Sequence, residues 1–228
     1  MVDRPVATDE SFYWERRRDI TVAPTTESDL ASRADPGDRH LVLLADLDES
    51  GATHALKPHL QTLDEFECFT AVPPRYLHVT VTVVGDVVAD PSGPDDLSPA
   101  ALPSLVERLR SALAGVESFD IELPKCNLFP TVVYAEVDDD GAFATLNDRV
   151  CRLDGVPVHD RDREGFIPHV ALGHFTRTAG CDRVVSFLEA NRALSASTVE
   201  VDAIDLVALD RSTTRFPAFD LVERFPLA

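Results

Sequence analysis

The stretch "RYLHVTVTVVG", residues 75–85, decides how the chain is read. It is rich in β-branched residues and ends in glycine, which predicts a buried strand. Period-two alternation places His78, Thr80 and Thr82 on one face of that strand. Further along, "FIPHVALGHF" (166–175) repeats the plan, with His169 and Ala171 sharing a face. A single histidine in a strand is commonly a core residue that has found a hydrogen bond. Two, at matching places in two halves of a chain, are a candidate pair.

The surroundings of the two stretches also match. Before the first lie a strand at 40–47 and a helix at 52–66 disturbed by Pro58; after it come a loop at 90–99 and a helix at 101–115. That last helix sets Leu102, Leu105, Val106, Leu109 and Leu113 on one face. Before the second stretch lie strands at 119–129 and 131–137, joined at Pro130, and a helix with Phe143, Leu146, Val150 and Leu153 inward. After it comes a helix from residue 181, for which Asp182 is a candidate cap, and then strands at 198–210 and 216–225. Each half reads strand, helix, histidine-bearing strand, helix: an α+β protein with two facing sheets. Residues 1–38 read as a polar N-terminal extension, with a short helix at "ESFYWERRR", and 39–228 as a two-lobed domain.

The bulk numbers narrow the function classes. The 228 residues carry 40 acidic and 21 basic side chains, a net charge of −19, and only Lys57 and Lys125 are lysines. A nucleic-acid binder normally shows a basic footprint, and a field this negative repels long polyanions. Such an acidic, lysine-poor surface also resembles that of halophilic proteins; at molar salt the Debye length is about 3 Å, so net charge then says little about the ligand. No run of about 18 apolar residues could cross a membrane, and the N-terminus lacks a secretory h-region. The four cysteines, without a CxxC pair, read as reduced small hydrophobes. A cytoplasmic monomer is expected. Of the seven histidines, His40, His54, His59 and His159 read as surface or hydrogen-bonded residues.

"LHVTVTVVG" and "FIPHVALGHF" resemble the paired H-x-[ST]-φ motifs of the two-histidine phosphoesterase superfamily, φ being apolar. The closer likeness is to the branch of 2′-5′ RNA ligases, or RNA 2′,3′-cyclic phosphodiesterases, which the segment "CNLFPTVVYAEVDDDGAFATLNDRV" (126–150) also resembles. The likeness covers roughly residues 40 to 225. It implies a bilobed α+β fold with two pseudo-symmetric antiparallel sheets lining a cleft and helices outside. It also implies metal-free opening of a cyclic phosphodiester, or exchange of phosphodiester bonds, with no cofactor. The partners would be RNA ends or small cyclic nucleotides. His78 would be the acid toward the ribose oxygen and His169 the base toward water. Two imidazoles of ordinary pKa near 6.5 can hold opposite protonation states near neutrality, while hydroxyls and cations hold the phosphate.

One departure stands out. The second motif has Ala171 where the family carries a hydroxyl, and His174 where it commonly carries a basic residue soon after. Thr80, His174 and Arg177 are the candidate phosphate contacts, although strict alternation turns His174 away from His169. Arg75, Arg161 and Arg163 read either as phosphate contacts or as a solvated rim. Phe129 is either a base-stacking residue or a core one. Three rivals remain open: a metal hydrolase built on His169, His174 and Asp182; a non-catalytic nucleotide- or RNA-end-binding module; and a phosphodiesterase for small substrates such as ADP-ribose cyclic phosphate.

Overall fold

The computed structural model describes residues 19–47, 51–194, 198–211 and 214–228. The helix expected at residues 10–18, with its arginine run, lies outside them. The described chain enters through α1 (Glu27–Arg33), closed at its start by a reciprocal cap. Thr26 Oγ1 accepts from the Asp29 N–H, and the Asp29 carboxylate accepts from the Thr26 N–H. The first half holds β1 (Asp35–Asp46), α2 (Gly51–Asp64), β2 (Phe69–Ala71), β3 (His78–Val87), β4 (Asp96–Leu97) and α3 (Leu102–Leu113). The second holds β5 (Phe119–Ile121), β6 (Cys126–Leu128), β7 (Val132–Glu136), α4 (Ala142–Val150), β8 (His169–Phe175) and α5 (Cys181–Asn191). The chain closes with β9 (Val199–Val201), β10 (Ala203–Arg211) and β11 (Asp220–Pro226).

The strands join in the order β11-β10-β1-β3-β8-β7-β6, with β2 added to β8 and β4 to β3. Apart from the short parallel pairing of β4 with β3, the strands of each lobe pair antiparallel around its histidine strand. The two lobes meet at β3 and β8, where Val79 faces Val170 as the one paired position. All four long helices turn an apolar stripe to the same side of these sheets: Leu56, Leu60 and Leu63 from α2, Leu105 and Leu109 from α3, Phe143 and Leu146 from α4, Val184 and Leu188 from α5. They cover one face, so the other face of β3 and β8 is left for a cleft. A smaller apolar cluster lies there, made of Val42, Leu44, Val83, Val207 and Leu209 with Tyr76 and Phe219 packed on it.

Several expectations change in detail. The segments 119–129 and 198–210 each split in two, and β5 pairs with β9 in a separate small sheet. Pro124, which cannot donate to a ladder, stands at the first break. Helix α2 runs through Pro58 rather than ending there. The cap position of α5 is Gly180, with φ 85°, and Asp182 sits instead in the first turn, where its charge meets the positive helix end. Part of the expected N-terminal extension is packed. Ile20 and Val22 pack against the main core, the Ala23 N–H donates to the Pro130 carbonyl at 2.8 Å, and the Thr25 N–H donates to the Phe175 carbonyl at 3.0 Å. Residues 20–25 form a strap across the end of β8.

Candidate active site

His78 opens β3 directly after a 3-10 turn at Pro74–Tyr76, and His169 opens β8 shortly after another at Arg163–Gly165. Each Nδ1 lies beside the carbonyl of the residue two before it: His78 to Tyr76 at 2.7 Å, His169 to Ile167 at 2.8 Å. A carbonyl only accepts, so Nδ1 carries the proton in both rings and Nε2 is left with its lone pair. Each ring is also held edge-on by a stacked aromatic pair. Tyr76 and Phe219, 4.8 Å apart, flank His78 at 5.3 and 5.1 Å. Phe129 and Tyr134, 4.2 Å apart, flank His169 at 5.1 and 5.4 Å. Phe129 is thus both a packing residue and a wall of the cleft.

Because Val79 faces Val170 in an antiparallel pair, Thr80 stands by His169 and Ala171 stands by His78. The Thr80 side chain is half-buried and its hydroxyl has no hydrogen-bond partner among the described residues. It is therefore free to donate into the cleft.

Strict alternation fails in both strands, at equivalent places. In β3 the register slips between Thr80 and Thr82, and in β8 between Ala171 and Gly173, so Val81 and Leu172 are the extra residues. Thr82 consequently faces Leu43 of the main core instead of joining the row of His78 and Thr80; it is 2 % exposed. The same slip in β8 turns His174 back to the face of His169, against the expectation from odd spacing. The corresponding position in β3 is Val83, which belongs to the apolar cluster of the cleft face.

Thr82 has a supporting role. Its hydroxyl donates to Asp162 Oδ1 at 3.2 Å, Asn147 Nδ2 donates to the same oxygen at 2.9 Å, and the His159 N–H donates to Oδ2 at 2.8 Å. Asn147 Nδ2 also reaches the Val81 carbonyl, and Asn147 Oδ1 accepts from the Arg163 N–H. This buried network clips the 159–165 loop onto the bulge of β3. Beside it opens a cavity of about 460 Å³, lined among others by Thr80, Phe129, Arg161, Phe166, Ile167 and His169.

The cations divide sharply. Arg161 lines that cavity, makes no hydrogen bond or ion pair among the described residues, and its charge helps hold the His169 pKa down. Arg163 gives Nη2 to the Cys151 carbonyl at 2.9 Å. Arg177, expected at the phosphate, gives Nε and Nη2 to the Glu67 carbonyl at 2.8 and 2.6 Å and pairs with the Glu67 carboxylate. Its guanidinium ties β8 to the loop before β2 rather than entering the cleft. Arg75 reaches the Phe216 carbonyl at 3.5 Å. The sequence reading missed Arg215, whose charge acts on His174. One signal pointed to its segment: "RFP" at 215–217 repeats the Phe-Pro dipeptide of Phe129–Pro130.

Burial lowers all three cleft histidines. His78 falls to about 4, mainly by desolvation, with the Tyr76 carbonyl opposing and His169 adding to the fall. His169 falls by desolvation, against the Ile167 carbonyl. His174 falls to about 4, by desolvation and then by Arg215. The Tyr76 hydroxyl is pushed up to about 12 by burial and stays protonated. Without an anion in the cleft, the imidazoles are neutral at pH 7. Among the described residues no three His, Cys, Asp or Glu side chains gather as a metal set requires, and Asp182 does not join His169 and His174.

Comparisons with known proteins agree with this geometry. The model of the 2′-5′ RNA ligase superfamily matches residues 51–213. No curated protein sequence matches the chain. Among solved structures, the Thermus thermophilus protein TT0787 is similar with a TM-score of 0.64 at 19 % identity, over 82 % of this chain and 97 % of that one. E. coli LigT complexed with 3′-AMP is similar with a TM-score of 0.61 at 15 % identity, over 84 % and 99 %. A structure described as a phosphoesterase gives 0.60 at 18 %, over 85 % and 99 %. At such identities these likenesses concern the fold. The family match spans most of the chain and contains both histidine strands, so the protein belongs to the 2′-5′ RNA ligase superfamily.

Proposed function

We propose that the protein opens 2′,3′-cyclic phosphates, on nucleotides or RNA ends, by metal-independent acid–base catalysis between His78 and His169. The observation that carries this reading is the pair of rings on adjoining strands, each with Nδ1 satisfied by a carbonyl and Nε2 left over. His169 Nε2 takes a proton from water as its oxygen bonds to phosphorus. The bond from phosphorus to one ribose oxygen breaks, and protonated His78 gives that oxygen its proton. Thr80 holds a phosphate oxygen as charge builds. His78 must be charged for this, and the anionic substrate itself favours the charged form, so acid and substrate arrive together.

Two features favour small substrates over long RNA. The cavity beside His169 has the size of a small-molecule site, for which ~300–1,000 Å³ is typical. The −19 charge repels polyanions unless salt screens it. Crystal structures of the E. coli LigT neighbour hold 3′-AMP, phosphate, ATP or NADP+, which fits a nucleotide-sized ligand here. A 2′,3′-cyclic nucleotide and a cyclic-phosphate-ended oligoribonucleotide, each incubated with the protein in EDTA and high salt, test the reading. Turnover that survives EDTA and vanishes in His78→Ala and His169→Ala supports it. Turnover abolished by EDTA sinks the metal-free mechanism, and binding without turnover points to a non-catalytic nucleotide-binding module.

A further inference from the structure

Beside His174 sits a cation that neither histidine motif contains. The Arg215 side chain is 10 % exposed, and its Nη2 meets Glu27 Oε1 at 3.0 Å. Its Nη1 is buried and has no hydrogen-bond partner among the described residues. A buried guanidinium N–H left unpaired is costly, so this nitrogen is built for a group that arrives. The segment carrying it is packed onto the cleft. Phe216 lies 5.5 Å from the His174 ring and 5.3 Å from Tyr76, and Phe219 stands edge-on to His78.

His174 alone does not supply the positive charge that its place in the motif suggested. Burial and the nearby guanidinium keep it neutral at pH 7, so it acts as an uncharged donor and the cation is Arg215. Glu27, 83 % exposed at the start of α1, is a tether: it holds Nη2 and leaves the buried Nη1 without a hydrogen-bond partner among the described residues.

We propose that Arg215, together with His174, forms a second anion contact of the cleft, holding a phosphate oxygen of the substrate and standing in for the hydroxyl that Ala171 lacks. This rests on the phosphodiester reading above. A charged guanidinium N–H makes a stronger, charge-assisted hydrogen bond to a phosphate oxygen than a hydroxyl does, so the site gains a fixed charge in exchange for a lost donor. Thr80 serves the side of His169, and Arg215 and His174 serve the strand where Ala171 leaves a gap.

The test measures binding of inorganic phosphate by calorimetry and, separately, the kinetics on a 2′,3′-cyclic nucleotide. Arg215→Gln should weaken phosphate binding about 10- to 100-fold, the range for one hydrogen bond to a charged group, and raise KM more than it lowers kcat. Arg215→Lys should fall between, and Glu27→Gln should stay within about threefold of the wild type. Phosphate affinity unchanged in a folded Arg215→Gln protein overturns the proposal. An equal loss in Glu27→Gln also overturns it, since the arginine would then be only a structural tie. If Arg215→Gln does not fold, Arg215→Lys decides, and wild-type phosphate affinity in that variant rejects the guanidinium contact. Arg215-dependent phosphate binding in a protein that turns over no cyclic nucleotide would keep the anion site and remove the phosphodiesterase reading.

Discussion

In each half of the cleft a 3-10 turn delivers a histidine to a strand. The carbonyl two residues back takes its Nδ1 proton, and a stacked aromatic pair stands edge-on to the ring. The strands even slip register at equivalent residues, Val81 and Leu172. The halves part at the second and fifth positions after the histidine. β3 offers Thr80 and the apolar Val83, whereas β8 offers Ala171 and the polar His174. Holding an imidazole in place is therefore a geometric demand met twice. Holding a phosphate, as the proposed function requires, is one job that the two halves would divide between them.

This symmetry is tested most severely by removing each imidazole in turn. His78→Ala and His169→Ala should each lower kcat on a 2′,3′-cyclic nucleotide about 10³-fold or more, and the double variant should lose little beyond either single one. A loss of only severalfold in one of them would mean the halves are not chemical partners.

Hydroxyl exchange comes next. Thr80→Ala should cost about 10²-fold in kcat, the loss expected for one donor to developing charge. Ala171→Thr should raise the rate severalfold by supplying the missing donor beside His78. A fall instead would show that the alanine makes room for something the substrate carries.

Support beneath the strands is also unequal. Asp162→Ala removes the acceptor shared by Thr82, Asn147 and the His159 N–H, and should destabilise the fold by about 2–3 kcal/mol in denaturant unfolding. Loosening the 159–165 loop should also raise KM, because that loop carries Arg161 into the cavity. Wild-type stability would show that the clip on β3 is dispensable.

Most gradual is the response to pH. With His78 as the acid at about 4 in the free protein, kcat/KM should fall as pH rises from 5 to 8, by at most tenfold per unit. A profile that rises across this range excludes His78 as the acid. Stability responds in the opposite sense. Between pH 6.5 and 4 the unfolded chain binds protons that His78 and His174 refuse in the folded protein, so the Tm should drop as pH falls through that window and stay level above it.

Much of this was legible in local pattern. The β-branched run around His78, the matching run around His169 and the leucine stripe of α3 each follow from a short period, and the helices and strands formed where those periods lay. Less legible were features with weak signals, such as the strand broken at Pro124 and the packed strap at residues 20–25, whose partners are far away in the chain. Phe129 was legible as either a core or a base-stacking residue; it packs on Tyr134 and also lines the cavity beside His169.

Sequence was sufficient for the pair of histidine strands and for the donor present at Thr80 and absent at Ala171, because side-chain alternation over three residues needs no partner. What lies beyond the third residue was settled by tertiary pairing. Register belongs to a pair of strands, so the bulges opposite β1 and β7 sent Thr82 into the core and His174 into the cleft, reversing both expectations. Arg177 was spent on Glu67, and Arg215 arrived from near the other end of the chain, tied to Glu27. An arginine reaches too far for sequence position to tell where its charge will rest.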